Sequence, residues 1–136
     1  MRHKNSISQV NLERDKEMRK VYVKAKGLAG SPATIDRICQ IAANLPTTKF
    51  YVSDYWALRY IKNRLRGTTK YFRDKRKQTL YNALYDNFKM LQHRHKNKDV
   101  ETLVDMALEQ PAPFLGLSPG TIRRYIRQRL GIKQYS

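Results

Sequence analysis

Few side chains in this sequence combine the type and the spacing that catalysis or metal binding requires. His93 and His95 form a His-Arg-His segment, but metal binding needs a third and a fourth ligand, and such a pair on a basic surface is typically solvated. The only cysteine, Cys39, falls on or beside the apolar stripe of a predicted helix, which is typical of a small core residue. We therefore expect no metal site and no catalytic cysteine.

The carboxylates and tyrosines do not indicate an enzyme either. A nuclease needs clustered carboxylates to hold Mg²⁺, whereas Asp54, Asp74 and Asp86 are scattered along the chain. A tyrosine recombinase or relaxase needs one tyrosine within an Arg/His cluster, but several of the nine tyrosines fall at the spacing of a helical core. There is no glycine-rich phosphate loop. We therefore expect a protein without catalytic activity, cofactor or small-molecule substrate.

Positive charge dominates the composition. The 136 residues include 28 Lys and Arg against 11 Asp and Glu, which gives a net charge of +17. Hydrophobic residues make up 40% of the chain, enough for a modest helical core. The single cysteine indicates a reducing compartment, and the apolar runs are too short for a membrane span or a signal peptide. We expect nucleic acid, the abundant intracellular polyanion, as the partner, and no membrane.

Two segments concentrate this charge. Residues 59–77 hold nine cations and one acid, a net +8, and residues 110–136 hold five cations and no acid. At 100° per residue, the helices predicted there turn apolar residues such as Ile61 and Ile122 inward and Arg, Lys, Asn and Gln outward. Such side chains hydrogen-bond phosphates and base edges, whereas a surface made only for solubility mixes both signs. The predicted nucleic-acid-binding residues are Arg59, Lys62, Asn63, Arg66, Lys70, Arg73, Lys75, Arg76, Lys77, Ser118, Thr121, Arg123, Arg124, Arg127 and Gln128.

An internal repeat organises the elements that carry these residues. Residues 35–65 align without gaps with residues 100–130, at an offset of 65, and eight of the 31 aligned pairs are identical. The matched pairs include a proline and a serine at fixed offsets, which similar amphipathic helices alone do not explain. The repeat divides the chain into a first module with a basic leader (1–67) and a second module (68–136), which share one compact unit.

Each module is predicted to contain three helices, so that the fold class is all-α. Serine caps, prolines and glycines mark the boundaries. The predicted helices are 8–26 ended by Gly27, one begun by Ser31-Pro32 and stopped before Pro46, 54–66 capped by Ser53 and ended by Gly67, about 71–94, about 99–109, and one begun by Ser118-Pro119 and ended by Gly131. Residues 49–52 and 114–117 could pair as a short two-stranded ribbon.

The segment LSPGTIRRYIRQRL, residues 117–130, resembles the second half of a helix-turn-helix DNA-binding domain. The resemblance covers about 30 residues, or about 60 with the first copy. It implies that Ser118, Thr121, Arg123, Arg124 and Arg127 face the DNA groove. The eight-residue connections from proline to serine are longer than the family's three- or four-residue turn. The segment from Pro46 to Ser53 is also similar to one in short basic proteins of gut bacteria and their phages, which implies a bacterial or phage-infected cytoplasm, or a virion.

The sequence thus favours a double-stranded DNA-binding protein that uses helices 54–66 and 119–130, and it leaves two other functions open. One is a structural component of a phage or nucleoprotein assembly that contacts packaged nucleic acid or acidic subunits. The other is an RNA-binding accessory protein. Trp56 and Phe72 could join the two modules, or all the aromatic residues in or beside the most basic segment could stack on single-stranded bases. These aromatic residues are Tyr51, Tyr55, Trp56, Tyr71 and Phe72.

Overall fold

Six α-helices in chain order form the part of the protein that the computed structural model describes, residues 7–129, with side chains described for residues 11–128. The helices are α1 (Ile7–Ala29), α2 (Ile35–Ala43), α3 (Asp54–Arg66), α4 (Lys75–Arg94), α5 (Val100–Leu108) and α6 (Pro119–Arg129). No strand forms within these residues. The predicted all-α fold class is confirmed.

The predicted starts of both third helices are correct because serine side chains cap them. The Ser53 hydroxyl oxygen accepts a hydrogen bond from the Trp56 backbone N–H at 3.3 Å. The Ser118 hydroxyl accepts one from the Thr121 backbone N–H at 3.2 Å and lies 3.0 Å from the Thr121 hydroxyl. Gly67 ends α3 in the left-handed conformation, with φ of 76°. Each cap satisfies a backbone group that a helix end leaves unpaired.

Other predicted boundaries are wrong by a few residues. The first helix continues through Gly27 to Ala29, and Gly30 is the residue with the left-handed φ of 76°. The second helix begins at Ile35 rather than after Ser31, because the Thr34 side chain accepts the hydrogen bond from Arg37 N–H at 3.1 Å. Helix α4 begins four residues later than predicted, at Lys75, and the predicted stop at Gly131 lies outside the described residues.

The helices pack into two apolar cores, and each core takes its third helix from the other half of the chain. Helices α4 and α5 pack with α3 around Phe88, Leu84 and Ile61, whereas α1 and α2 pack with α6 around Met18 and Ile122. The packing units therefore do not coincide with the predicted modules 1–67 and 68–136. Helices α2 and α5 are offset by 65 residues at both ends, as are the starts of α3 and α6.

The two segments that connect second and third helices cross between the cores. Thr47 and Ala112 form an isolated antiparallel bridge, with N–H···O=C distances of 3.0 and 3.1 Å. The predicted ribbon over 49–52 and 114–117 does not form. Beyond the bridge the segments separate, because Phe50 enters the α3–α4–α5 core and Leu115 enters the α1–α2–α6 core. The bridge thus lies where the chain exchanges its third helices.

Carboxylates of α1 hold the first crossing segment in place. Glu17 is buried, and its carboxylate accepts hydrogen bonds from the Thr48 backbone N–H at 3.2 Å and from the Tyr51 hydroxyl at 3.3 Å. The Lys49 ammonium lies 2.6 Å from a Glu13 carboxylate oxygen. Burial lowers the pKa of Lys49, but the hydrogen bond and charges of its acidic neighbours raise that pKa above its ordinary value. Glu13 and Glu17 are therefore structural.

Candidate nucleic-acid interface

The most basic segment of the chain, residues 59–77, covers most of α3, the loop after it and the first turn of α4. We call its six exposed cations the basic surface: Arg59, Arg66, Lys70, Arg73, Lys75 and Lys77. The one acid in residues 59–77, Asp74, caps α4, and its carboxylate accepts from the backbone N–H groups of Arg76 and Lys77 at 2.9 and 3.2 Å. Its charge thus stabilises a helix N-terminus.

Two further predicted contacts, Lys62 and Asn63, are half-buried on α3.

Arg64 belongs to the scaffold that supports the basic surface. Its guanidinium donates to the Tyr60 hydroxyl at 3.0 Å and to the Asn82 side-chain oxygen at 3.2 Å. It also lies 4.0 Å from the centre of the Tyr85 ring. Arg64 therefore ties α3 to α4.

Arg76 was among the predicted nucleic-acid contacts, but the structure places it between the two cores. Its guanidinium donates to the Asn44 side-chain oxygen at 2.9 Å, to the Ala43 carbonyl at the end of α2, and to the Leu117 carbonyl at 3.4 Å. The guanidinium carbon also lies 4.4 Å from the centre of the Phe114 ring. These contacts satisfy carbonyls at a helix C-terminus, so Arg76 is a structural residue.

Helix α6 presents a smaller set of basic residues on the other core. Arg124, Arg127 and Gln128 are exposed, as predicted. Arg123 is not turned outward, because it forms an ion pair of 3.0 Å with Asp36 of α2, the helix on which α6 packs. The polar groups of Ser118 and Thr121 are occupied in the helix cap. The exposed side chains that α6 offers to a ligand are therefore Arg124, Arg127 and Gln128.

A groove of about 550 Å³ opens beside α3, within the basic surface. We call it the α3 groove. Its lining residues are the aromatics Trp56, Tyr60, Phe72 and Tyr81, the cations Arg59, Lys70 and Lys77, and the polar residues Asn63, Thr68 and Thr69. Among the described residues, no carboxylate lines it. A cleft of this size with aromatic walls and a few polar groups is typical of a ligand site.

The aromatic residues of the groove differ in what they do. Tyr60, Phe72 and Tyr81 pack on one another with ring centres 4.9–5.8 Å apart and belong to or contact the α3–α4–α5 core. Burial, with a smaller effect of Tyr60, raises the pKa of Tyr81 to about 12. Phe72 thus joins α3 to α4, which is one of the two roles the sequence left open. Trp56 is 50% exposed at the groove edge.

A second, smaller cavity of about 340 Å³ adjoins the first and shares Trp56, Lys77 and Tyr81 with it. It lies between the two cores, since α1 and the crossing segment near Gly116 also line it. Gly116 has φ of 95°, and an added Cβ would lie 2.9 Å from a Leu80 methyl group. A glycine is therefore required where this segment passes α4.

The sequence predicted the cations and Asn63 of the α3 groove as contacts, but not all of its other lining residues. Thr68, Thr69 and Tyr81 were not among the predicted contacts. Tyr81 had the spacing of a core residue, and only the packing of α4 against α3 turns one edge of it toward the groove. The threonines had no signal in the sequence except their position in the loop after Gly67.

Within residues 11–128 no group of three or more potential ligands could hold a metal ion. No described helix has the length and apolar character needed to cross a membrane. The chain matches no protein-family model, no curated protein and no solved structure.

Proposed function

We propose that this protein binds nucleic acid, with double-stranded DNA as the preferred ligand, and that it does so without catalysis. The observation that carries the proposal is the basic surface itself. Six exposed cations lie on α3 and on the loop and helix start that follow, while the single acid of the segment is turned into a helix cap. Phosphate groups provide the matching charge at high density.

Rigid elements support this role. Both ends of α3 are capped. Two hydrogen bonds connect it to α4, from Gln78 to the Tyr60 hydroxyl at 3.0 Å and from Arg64 to the Asn82 side-chain oxygen at 3.2 Å. Side chains on such an element keep a defined spacing, which favours contact with a regular phosphate backbone. Helix α6 provides Arg124, Arg127 and Gln128 as a second contact region. In the helix-turn-helix interpretation, α3 and α6 are the two helices that face DNA.

The packing of the helices changes the arrangement of the two helix-turn-helix-like units. Ten residues, 44–53, connect α2 to α3, and α3 packs on α5 rather than on α2. Each DNA-facing helix is therefore supported by the second helix of the other half of the chain. The proposal is a pair of interlocked helix-turn-helix-like units, not two units in tandem.

The test is a fluorescence anisotropy titration of labelled duplex DNA, single-stranded DNA and hairpin RNA at several salt concentrations. If the six cations of the basic surface and the two arginines of α6 contact phosphates, log K for duplex DNA falls with log salt at a slope of about −7. Preference for hairpin RNA would support an RNA-binding accessory protein instead. Absence of binding to all three at about 50 mM salt would contradict nucleic-acid binding and favour a role in a protein assembly.

A double variant locates the interface. Replacing Arg73 and Lys75 together by Ala should flatten the salt slope by about two, because each phosphate contact contributes about one. The matched control is Lys96→Ala with Lys98→Ala, since both residues are exposed and lie beyond the far end of α4, a 20-residue helix about 30 Å long. An unchanged slope in the first variant, or an equal change in the control, would remove the basic surface from the interface.

A further inference from the structure

We propose that the α3 groove binds one unpaired nucleotide of single-stranded DNA, with its base against Trp56 and its phosphate on the surrounding cations. This inference rests on the proposed nucleic-acid binding and adds a ligand class to the same surface. It predicts that the protein holds DNA best where duplex and single strand meet. Its support comes from the aromatic edge of the groove, its polar groups and its charge.

The indole of Trp56 provides a stacking surface at the groove edge. The ring is 50% exposed and stands edge-on to Tyr55, with centres 5.1 Å apart and planes at 84°. The Arg59 guanidinium carbon lies 5.7 Å from the Trp56 ring centre. Bases stack on aromatic rings and on arginine with about 1–3 kcal/mol per base, whatever the sequence. Trp56 and Arg59 together therefore offer a site of the kind that single strands use.

Polar groups beside the ring match the edge of a base. The Asn63 side-chain amide lines the groove and carries both donors and an acceptor. Thr69 also lines the groove and adds a second polar residue to its wall. These two residues favour a polar, planar ligand over an apolar peptide side chain.

The charge of the groove selects an anion. Arg59, Lys70 and Lys77 line it, and no carboxylate does so among the described residues. The Lys77 ammonium lies 4.7 Å from the Phe72 ring centre, so one cation sits directly over an aromatic wall. A nucleotide carries the planar base and the phosphate in one unit, and it satisfies both features of the groove. A paired base inside a duplex cannot reach such a pocket without being flipped out.

Hydrogen bonds and ring stacking within the protein hold the walls of the α3 groove together. The Gln78 side chain accepts from the Phe72 backbone N–H at 2.7 Å and donates to the Tyr60 hydroxyl at 3.0 Å, which fixes the loop wall to the helix wall. Tyr60 and Phe72 stack with planes at 16°. A site whose walls are held by such contacts pays little ordering entropy on binding.

Trp56 is the only tryptophan of the chain, so its fluorescence reports on the groove directly. The experiment titrates the full chain with a short oligothymidine and with a blunt duplex of equal phosphate count, and records both Trp56 fluorescence and anisotropy of the labelled DNA. We expect the single strand to quench Trp56 and the duplex to leave it nearly unchanged. Trp56→Ala should weaken single-strand binding by about 5- to 150-fold, the equivalent of one stacked base, and duplex binding by less than about twofold.

Tyr71→Ala is the matched control, because Tyr71 is 69% exposed in the same basic segment but does not line the groove. It should change single-strand binding by less than about twofold. Asn63→Ala provides a second groove variant that leaves the tryptophan in place, and circular dichroism confirms folding of all three. Binding by anisotropy without quenching, or with no effect of Trp56→Ala, would overturn the groove proposal and leave nucleic-acid binding intact. Absence of any binding would overturn both.

Discussion

At the scale of single residues, arginines that contribute equally to the net charge do different things. Arg64, Arg76 and Arg123 are held by neighbouring hydroxyl, carbonyl or carboxylate oxygens of the protein. Arg73 of the basic surface is exposed, and Arg59 is exposed with one long contact of 3.5 Å to the Tyr55 hydroxyl. A charge count along the chain cannot separate these groups, because the difference lies in which helix packs opposite each guanidinium.

Cys39 provides a prediction at this scale. The thiol is buried against α6, and burial together with the nearby Asp36 carboxylate raises its pKa to about 11, although Arg123 opposes the shift. Since only the thiolate is nucleophilic, alkylation by iodoacetamide at pH 8 should be slower by on the order of 100-fold in the folded protein than in guanidinium. The rate should rise about tenfold per pH unit towards pH 11.

The same shift links Cys39 to stability. The folded state holds the thiol proton more tightly than the unfolded state, so this contribution is fully present below about pH 9 and is lost as the pH rises through about 11. Equal alkylation rates in folded and unfolded protein at pH 8 would show that Cys39 is accessible as thiolate and contradict its placement in the α1–α2–α6 core.

At the scale of helices, the first turn of α4 combines a packed arginine with two exposed lysines. One of its residues, Arg76, reaches the carbonyl end of α2 and the segment before α6, while its neighbours on either side, Lys75 and Lys77, are exposed. The helical periodicity of about 100° per residue separates these side chains onto different faces. Packing contacts and exposed cations therefore alternate along consecutive residues.

Arg76→Ala and Lys75→Ala test this division. Loss of the Arg76 hydrogen bonds should reduce the free energy of unfolding by about 2 kcal/mol, because bonds from a charged donor contribute about 1.5–3 kcal/mol, and should leave the salt slope of DNA binding unchanged. Lys75→Ala should do the opposite, with a flatter slope and stability within about 0.5 kcal/mol of the parent. Urea denaturation and salt-dependent anisotropy measure the two quantities. If Arg76→Ala were as stable as the parent but had a flatter salt slope of DNA binding, Arg76 would be a nucleic-acid contact and not a structural residue.

At the scale of the whole molecule, exchange of the third helices makes each half of the chain depend on the other. Helix α3 covers apolar residues of α4 and α5, and α6 covers those of α2. Neither half by itself contains a complete three-helix core. The chain also has a net charge of +17, and the repulsion between its positive charges opposes compaction. The packing of the exchanged helices has to offset this repulsion.

Two fragments, 1–67 and 68–136, test this dependence. Each alone should lose most of its helical signal in circular dichroism, since isolated helices of this length are marginal in water. An equimolar mixture should regain the helical signal and melt cooperatively, because the two fragments together contain both cores. A monomeric fragment that unfolds cooperatively by itself would show instead that the halves are autonomous.

The amino-acid sequence determined the features that depend on neighbours within about four residues. The all-helical class, the serine caps at Ser53 and Ser118, the stop at Gly67 and the basic segment 59–77 could all be read from it, because caps and helical periodicity are local. The boundaries predicted at Ser31 and Gly27 were wrong, because Thr34 and Gly30, three residues further along, cap α2 and end α1 instead. Local signals thus placed the elements to within a few residues.

Only the tertiary structure decided which helix each face meets. The exchange of α3 and α6, the use of Arg76 and Arg123 inside the protein, and the meeting of Trp56, Asn63 and Lys77 around one groove all join residues far apart in the chain. Such contacts depend on how apolar surfaces of several helices are buried together, and a similar periodicity in all six helices leaves more than one pairing possible. The sequence therefore shows which residue types are present, but only the packing of the helices brings them together in the candidate site.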